Sequence, residues 1–379
     1  MKKILLQGYY GFGNLGDDIL LLVCFRNFKQ HFPDAELVVF SNAGRKTSAY
    51  LIELLGAPAR IINYAAREHF DVIIHGGGGV HYDYEPGNFF YRILNRLILL
   101  RPSWFVKLFN LYKKVKNKEH ITSTCRVGMG IGIGTFTQSS KNLYSNLVVL
   151  SGYNYLQVRD SASLTAAKQF NPPAPPVLST DLAFYTDYWL PTLALRNGNA
   201  TDKKIGIVLR HWKYGNTYID DVVRIASRLS VAGFTITFFL FEATYDSPCL
   251  QKLPNNFNLV KWGDGHANIG SFMAHLSAQS LIVSARFHGV ILAATLGIPS
   301  VAIKLDPKLA TLAEMLPQSA CLIGTDDIPK HLEPMILNIY RNLPYWQQQV
   351  RHDYERNYKL IVEGIAAVNK FIAKRNENS

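Results

Sequence analysis

The 379-residue sequence has few cysteines, a modest share of charged residues and no long hydrophobic run. Its 4 cysteines lie far apart without a C-x-x-C pair, which argues against structural zinc or a disulfide framework and fits reduced thiols in the cytoplasm. No apolar run reaches the roughly 18 residues of a membrane span. The opening, MKKILLQG, has too few consecutive apolar residues for a signal peptide and predicts a first strand instead.

The composition also excludes disorder and indicates an anionic partner. Apolar residues make up 48% of the chain and charged residues 18%, a balance that supports a large buried core. Lys and Arg outnumber Asp and Glu by 40 to 28, a formal net charge of +12. No nucleic-acid-binding motif is visible, so we expect no nucleic-acid partner. The range 94–118 mixes Leu, Trp and Phe with Lys and Arg and has no acid, which suits either an anionic membrane surface or a helix pair on the surface of a lobe.

Short β-branched runs alternate with helical periodicity, which predicts an α/β protein with two Rossmann-like lobes. Continuous apolar strands separated by helices indicate parallel sheets covered on both faces. The Pro-rich segment 171–176 and the polar segment 194–204 place the boundary near residue 195. We expect lobes at 1–194 and 195–344, and a helical tail at 345–379 that packs back on the first lobe. The predicted strands are 4–6, 37–41, 71–75, 127–133 and 155–158, then 205–209, 235–241, 281–284 and 300–303.

The segment Gly8–Asp18 directly follows the first predicted strand, and ligands of open parallel sheets bind beyond the carboxyl ends of strands. Its glycines allow a tight turn that leaves backbone amides free at a helix N-terminus. Their spacing matches a dinucleotide fingerprint, but Asp17 and Asp18 would repel a phosphate, and Glu36 starts the next strand rather than ending it. NAD binding, a structural turn and a polar acceptor pocket are the three interpretations, and we favour the acceptor pocket.

Four consecutive glycines, Gly76–Gly79, follow the third predicted strand. Such a run gives a ligand or the opposite lobe close access to backbone amides. His75, His81 and Asp83 resemble a metal-binding set by residue type, but their spacing defines no coordination geometry, and we expect no metal.

Basic side chains follow several predicted strands and would converge on one cleft between the lobes. Arg159 lies between a strand and a helix, and Arg210 ends the first strand of the second lobe. Arg286 and His288 follow a later strand, and Lys308 follows the next one. The structural alternative is an interlobe or surface salt bridge for Arg159 and a satisfied helix-start residue for His288. Their shared placement favours a site for an anionic ligand.

Taken together, these segments resemble the polysaccharide pyruvyl transferase family, with its motifs in the family's order from Gly8 to Lys308. The motifs are GNLGD at Gly13–Asp17, the run Gly76–Gly79, R-D-x-x-S at 159–163, Asp181 with Phe184, and R-F-H-G…G-I-P…D-P-K at 286–308. Three positions depart from the family's pattern and affect the shape of the pocket: Asp18 in place of Glu, Leu182 in place of Pro and Leu305 in place of an aromatic residue.

The resemblance implies a glycosyltransferase-B-like pair of lobes and transfer of pyruvate from phosphoenolpyruvate to a sugar of a cell-surface glycan or its lipid-linked precursor. The product would be a pyruvate ketal, with phosphate released and no metal or organic cofactor required. His288 would act as general acid, while Asp17, Asp181 or the leaving phosphate would accept the hydroxyl protons. The donor would lie mainly on the second lobe, bound by Arg159, Arg210, Arg286 and Lys308. The residues that bind the acceptor or shape the site on the first lobe would be Gly13, Asn14, Asp17, Gly77, Gly78 and Asp181.

Two other functions remain open from the sequence. A nucleotide-sugar glycosyltransferase of the same architecture would bind a nucleotide diphosphate in the second lobe and hold its ribose with an acid, Glu242 or Glu314. A protein that only binds an anionic polymer would also fit the net charge of +12. We expect an enzyme in the cytoplasm, either free or peripheral at the inner face of the membrane.

Overall fold

Two α/β lobes meet at a central cleft in the computed structural model of the chain. The structure describes residues 2–44, 47–83, 89–101, 104–108, 121–136, 139–170, 172, 174–190, 203–263 and 268–377. The predicted boundary near residue 195 lies outside these residues, and so does the range 109–118 of the basic segment.

The N-terminal lobe is built on a parallel sheet, for which the described residues supply eight strands. They are β1 (Lys3–Gln7), β2 (Glu36–Phe40), β3 (Arg60–Ile62), β4 (Glu68–Gly76), β5 (Gly79–Asp83), β6 (Ile121–Phe136), β7 (Tyr155–Val158) and β8 (Val177–Leu178). Their order across the sheet is β3-β2-β1-β4-β6-β7-β8, and β5 pairs with β6. Every pairing is parallel, so the carboxyl ends of the strands share one edge.

Helices connect these strands. They are α1 (Leu15–His31), α2 (Thr47–Leu55), α3 (Phe89–Leu100), α4 (Leu143–Ser151) and α5 (Ser161–Gln169). The first of them is apolar on nearly all sides and is buried along most of its length, as expected for a helix between two packed layers. It begins at Leu15 because the Asn14 side chain caps it, accepting a hydrogen bond from the Gly16 amide at 3.1 Å.

The C-terminal lobe repeats this architecture. Its strands are β9 (Lys204–Leu209), β10 (Thr235–Leu240), β11 (Asn258–Lys261), β12 (Leu281–Ser284), β13 (Ser300–Ile303) and β14 (Ala320–Ile323). Its helices are α6 (Thr217–Val231), α7 (Ile269–Ser277), α8 (Phe287–Thr295), α9 (Leu312–Met315) and α10 (Ile328–Arg341). The sheet is parallel throughout, in the order β11-β10-β9-β12-β13-β14.

Both sheets therefore place their first strand beside their fourth, which is the Rossmann arrangement. In the N-terminal lobe β1 pairs with β4, and in the C-terminal lobe β9 pairs with β12. The strand order reverses at these pairs, and the crevice beyond their carboxyl ends is where such sheets bind ligands. The predicted fold class, two Rossmann-like lobes with parallel sheets, is confirmed.

A long C-terminal helix, α11 (Leu343–Glu377), follows the second lobe and contacts the first. Asn357 accepts a hydrogen bond from Thr180 at 2.6 Å, and the amides of Asn369 and Asn27 donate to each other at 2.9 and 3.0 Å. Apolar side chains of the helix, Ile361 among them, join the main hydrophobic core. The helix thus connects the two lobes.

The N-terminus of α1 is a direct contact between the lobes. The Leu15 amide donates a hydrogen bond to the Phe241 carbonyl at 2.9 Å, and Trp262 Nε1 donates to Asp18 at 2.8 Å. Gly13 and Gly263 face each other, both with positive φ, and a Cβ on Gly263 would lie 2.7 Å from the Gly13 carbonyl oxygen. The close approach of the lobes at this point therefore requires glycine on both sides.

Several short strands depart from the sequence predictions. The strand β3 (Arg60–Ile62) precedes the segment expected to be the third strand, and β8 (Val177–Leu178) and β14 (Ala320–Ile323) extend the two sheets at their edges. The strands β3 and β8, with three and two residues, are too short for a periodic pattern, so tertiary pairing defines them. None of the described helices combines the length and the apolar character that crossing a membrane requires.

Candidate active site in the interlobe cleft

A cleft of about 650 Å³ lies at the carboxyl ends of both sheets. The strand ends of the two lobes face each other across it, as the parallel arrangement requires. His288 and the four predicted donor-binding cations all line this cleft. The lining residues of the C-terminal lobe are Arg210, Phe241, Glu242, Tyr245, Arg286, Phe287, His288 and Lys308.

His288 lies in the first turn of α8 and reaches across to the N-terminal lobe. Its Nε2 lies 3.7 Å from Asp181 Oδ2 and has no hydrogen-bond partner among the described residues. Its Nδ1 faces Gly16 of α1, where a Cβ would lie only 1.9 Å away. A glycine at position 16 is therefore what allows the imidazole to reach its place beside the cleft.

Asp181 and Arg159 form a buried ion pair behind this histidine. Asp181 is fully buried, accepts a hydrogen bond from the Ala183 amide at 3.0 Å and lies 3.3 Å from Arg159 Nη1. Burial alone would raise the pKa of Asp181, but the attraction of His288 and Arg159 outweighs it, and the pKa is lowered. Asp181 is thus held as a carboxylate beside the imidazole of His288.

Arg159 is held in place on all sides. Its Nε lies 3.2 Å from Asp160, and its guanidinium stacks over the ring of Phe287 at 4.1 Å. A Cβ at Gly132 would lie 2.7 Å from the guanidinium, so only glycine fits there. Arg159 lines the cleft but is only 2% exposed, and its contacts orient the residues around His288.

Arg286, just before His288, is paired with two acids that follow β10. Its Nη2 lies 2.6 Å from Asp246 and 3.3 Å from Glu242. Burial lowers the pKa of Arg286, but Asp246 and Glu242 more than offset this and raise it. Burial also raises the pKa of Glu242, which accepts a further hydrogen bond from Asn14 at 3.1 Å. Glu242 thus joins the two lobes at the edge of the cleft.

Arg210 and Lys308 share a third acid. Arg210 Nη1 lies 2.5 Å from Asp306, and Lys308 Nζ lies 3.6 Å from the same carboxylate. Asp306 also caps the short helical turn Pro307–Thr311 by accepting from the Lys308 amide. Burial lowers the pKa of Lys308 to about 8. The amine therefore titrates close to physiological pH.

The residues predicted on the acceptor side divide into two groups. Asn14 and Asp17 line the cleft, and burial raises the pKa of the Asp17 carboxyl despite nearby His288. Gly13 instead forms the interlobe contact with Gly263, and Gly77 and Gly78 are buried inside the N-terminal lobe. These three glycines shape the site and do not line it.

Two acids of this site were not predicted from the sequence as partners of the cations. Asp246 is fully buried between Arg286 and the His211 amide, to which its Oδ1 is 2.9 Å away. Its position in the sequence could have identified it as a site residue. Asp246 and Glu242 follow the carboxyl end of β10 and therefore lie at the same sheet edge as Arg210. Asp306 was visible in the D-P-K motif, but its pairing with Arg210 joins strand ends 96 residues apart.

The histidines of the glycine-rich segment are buried at the same edge of the N-terminal lobe. Burial lowers the pKa of His75 to about 3 and also lowers that of His81. Among the described residues no group of three metal-ligating side chains is close enough to hold a metal ion.

The fold and the cleft define the chain as a glycosyltransferase-B-like protein, with two parallel-sheet α/β domains that enclose a site between them. The polysaccharide pyruvyl transferase family model matches residues 14–307. The chain therefore belongs to the polysaccharide pyruvyl transferase family, as its motifs indicated. No curated protein shows a significant match to the sequence.

Solved structures of enzymes that bind UDP-sugars have the same fold. HepE from Anabaena in complex with UDP-glucose is 13% identical, with a TM-score of 0.58 and 100% of each chain covered. A putative UDP-N-acetylglucosamine 2-epimerase from Listeria monocytogenes is 11% identical, with a TM-score of 0.58, covering 100% of this chain and 97% of its own. The UDP-GlcNAc 2-epimerase from Neisseria meningitidis is 13% identical, with a TM-score of 0.55, covering 97% of this chain and 100% of its own. At such identities the likeness concerns the fold.

Proposed function

We propose that this protein transfers pyruvate from phosphoenolpyruvate to a sugar of a cell-surface glycan or its lipid-linked precursor, forming a ketal and releasing phosphate. The observation that supports this most is the single cleft lined by His288 and four cationic side chains from both lobes. Phosphoenolpyruvate carries two anionic groups, and guanidinium groups bind both carboxylate and phosphate through paired hydrogen bonds.

The acids beside the cations determine how the donor is bound. Arg286 and Arg210 are each held by a carboxylate on one side, which fixes the direction of their remaining N–H groups. Preorganised donors lose little conformational freedom on binding. The affinity for phosphoenolpyruvate should therefore depend on the fixed orientation of these N–H groups more than on an excess of positive charge.

The chemical step begins with protonation. His288 donates a proton to the methylene carbon of phosphoenolpyruvate, which becomes a methyl group and leaves positive charge on the neighbouring carbon. A sugar hydroxyl adds to that carbon. The bond between the same carbon and the phosphate oxygen then breaks, and a second sugar hydroxyl adds to the carbon and closes the ketal. A carboxylate base accepts each hydroxyl proton as the new C–O bond forms. One of these two protons is then passed to His288, which restores the proton that it gave, and the other leaves on the phosphate.

Asp17 and Asp181 differ in what they can do for this step. The pKa of Asp17 is raised by burial, so its carboxylate accepts a proton more readily than an ordinary aspartate does. The pKa of Asp181 is lowered and its carboxylate is fixed between Arg159 and His288. We therefore assign Asp17 as the general base and Asp181 as the residue that orients the imidazole of His288.

The test is phosphate release coupled to a sugar acceptor. With phosphoenolpyruvate and an extract of cell-surface glycans, phosphate should appear only when both are present. The modified glycan should gain about 70 Da per sugar, the net mass added when pyruvate condenses with two hydroxyls. Phosphate release that is the same without glycan, or a glycan of unchanged mass, would contradict the proposal.

The second candidate is a nucleotide-sugar glycosyltransferase, favoured by the UDP-sugars bound in the structural neighbours. This function needs an acid free to hold a ribose. Glu242 is instead bonded to Arg286 and Asn14, and Glu314 accepts a hydrogen bond from the Ser161 amide at 3.2 Å. A thermal shift with UDP-glucose but not with phosphoenolpyruvate would favour this candidate.

We also propose that the enzyme works at the inner face of the membrane, bound through one face of α3 and the residues after it. The opposite face packs into the lobe, with Ile98 buried and the Asn95 amide donating to the Ser140 carbonyl at 2.8 Å. Exposed Arg92, Arg96 and Lys107 accompany the apolar side chains. The exposed apolar side chains are Phe89, Phe90, Ile93, Leu97, Leu100, Trp104 and Leu108. Such a basic, apolar face complements an anionic lipid surface.

Sedimentation with vesicles tests this surface. Phe89→Ser, Leu100→Ser and Trp104→Ser combined should reduce binding to phosphatidylglycerol-containing vesicles at least about tenfold, because each buried apolar side chain contributes roughly 1.5–3 kcal/mol. The control combines three substitutions of exposed apolar residues elsewhere: Val231→Ser, Leu259→Ser and Tyr345→Ser. Equal binding of both triple variants, or equal binding to uncharged phosphatidylcholine vesicles, would contradict the membrane proposal.

A further inference from the structure

A row of uncharged side chains lines the N-terminal lobe's side of the cleft. Tyr64 follows β3, Phe40 ends β2, Gln7 ends β1 and His75 lies in β4. Gln7 and His75 are register partners, and the four strands are neighbours in the sheet. Because the row runs across four neighbouring strands, it spans three inter-strand distances and is about 14 Å long.

The tautomer of His81, at one end of this row, follows from its contacts. The Asn146 amide nitrogen donates to the Asn142 carbonyl at 2.9 Å, which fixes the orientation of that amide. Asn146 Oδ1 must then accept from His81 Nδ1, at 2.7 Å. His81 Nε2 is left as an acceptor for the Tyr153 hydroxyl, at 3.4 Å. Burial lowers the pKa of His81, which keeps this imidazole neutral.

His75 differs from His81 in having an unused ring nitrogen. It is 8% exposed, lines the cleft and packs its ring against the edge of Tyr153, with centroids 5.2 Å apart. Its Nδ1 is buried and has no hydrogen-bond partner among the described residues. A buried polar nitrogen without a partner is costly. Because burial lowers the pKa of His75 to about 3, its imidazole is neutral at physiological pH.

Aromatic surface completes the row. The rings of Tyr64 and Phe40 lie 4.8 Å apart in an edge-to-face arrangement, with Phe40 buried and Tyr64 65% exposed. Phe40 holds the Tyr64 ring at the rim of the cleft, where its face is accessible. A flat aromatic face beside neutral hydrogen-bonding groups suits the apolar C–H face and the hydroxyls of a pyranose ring.

We propose that the row formed by Gln7, Phe40, Tyr64, His75 and His81 is the subsite for an uncharged sugar ring of the acceptor. The inference rests on the proposed pyruvyl transfer and assigns the acceptor to residues different from Asn14 and Asp17. A uronic acid would find no cation in this row. The cations of the opposite lobe would then be left to the donor.

The test measures sugar binding and donor binding separately. Saturation-transfer NMR with the methyl glycosides of glucose, galactose, mannose and their N-acetylamino forms reports the sugar, with methyl glucuronide as the charged comparison. Calorimetry with phosphoenolpyruvate reports the donor. The variants are Tyr64→Ala and His75→Phe, and the control is Tyr345→Ala, which removes a tyrosine of similar exposure outside the cleft.

We expect the wild type to bind at least one neutral glycoside and not the glucuronide. Tyr64→Ala should weaken that binding roughly two- to tenfold, as for other aromatic contacts, while Tyr345→Ala leaves it unchanged. His75→Phe should weaken it too, with phosphoenolpyruvate affinity unchanged in all three variants. Because His75 is buried, each variant's unfolding temperature is measured alongside.

Three results would overturn the inference: no neutral glycoside binds the wild type, both cleft variants bind it as the wild type does, or the cleft variants lose phosphoenolpyruvate instead. Failure of the proposed function has a different signature. A wild-type protein that binds neutral glycosides but not phosphoenolpyruvate would contradict pyruvyl transfer and leave the sugar subsite supported.

Discussion

The two lobes have the same strand order at the cleft but present different chemistry to it. At the strand ends of the C-terminal lobe stand Arg210, Arg286 and His288, with Lys308 beyond the next strand. The corresponding edge of the N-terminal lobe is largely aromatic and neutral, as at Tyr64. The Rossmann arrangement thus sets where ligand-binding residues lie, and the local sequence after each strand sets what they bind.

The lobes also differ in how their polar groups are satisfied. In the C-terminal lobe, a carboxylate lies beside each of Arg210, Arg286 and Lys308. Asp306 is the partner of both Arg210 and Lys308. In the N-terminal lobe, His75 Nδ1 has no partner among the described residues. The first arrangement holds cations in place beside the cleft, and the second leaves a neutral imidazole in the cleft wall. The comparison therefore predicts that variants in the C-terminal lobe alter the donor's part of the reaction.

His288→Ala should produce the largest effect. Turnover should fall roughly 10²–10⁴-fold, the usual range for loss of a general acid, while phosphoenolpyruvate still binds. Steady-state phosphate release and calorimetry measure the two quantities. Gly16→Ser, which would push the imidazole away without removing it, serves as a second variant and should also reduce turnover. Normal turnover in His288→Ala would reject the assignment.

A smaller effect should appear in the pH dependence of donor affinity. The pKa of Lys308 is lowered by burial to about 8, and in the proposed function phosphoenolpyruvate is bound by the protonated amine. Between pH 7 and pH 9 the protonated fraction of such an amine falls roughly tenfold, so affinity should fall by about the same factor. Calorimetry across this range measures it. Lys308→Arg keeps its charge and should flatten the profile; an unchanged slope in that variant would argue against Lys308 as the titrating group.

Glu242→Gln should give the smallest effect and distinguishes the two candidate enzymes. Removing a carboxylate beside Arg286 should strengthen phosphoenolpyruvate binding roughly two- to fivefold, because one repulsive charge is lost while Asp246 still holds the arginine. If Glu242 instead holds a ribose, the variant should bind UDP-glucose more weakly than the wild type. Calorimetry with both ligands separates these outcomes.

Much of the fold was predictable from local pattern. The apolar runs at β1, β9 and β12 are continuous because parallel strands are buried on both faces, and the helices between them have helical periodicity. The short strand β3 was missed because three residues carry no period. Cleft-lining residues such as Arg210 and Arg286 were predictable because they come just after strands, which is a rule that needs no coordinates.

The partners of those residues could not be predicted in the same way. The pairing of Asp181 with His288 spans both lobes, and that of Asp246 with Arg286 joins two different strand ends. Side chains of this kind lie far apart in sequence, and no local periodicity relates them. The neutral state of His75 likewise depends on burial, which only the packed lobe supplies.

The sequence by itself determined the two parallel-sheet lobes, the family and the positively charged residues at the strand ends, because each depends on local pattern and residue type. Only the tertiary structure decided which carboxylate holds which cation and which histidine stays neutral. Those outcomes depend on the distances between chain segments and on the exclusion of water. The distances and the exclusion of water are set only once the two lobes pack against each other at α1 and along the C-terminal helix.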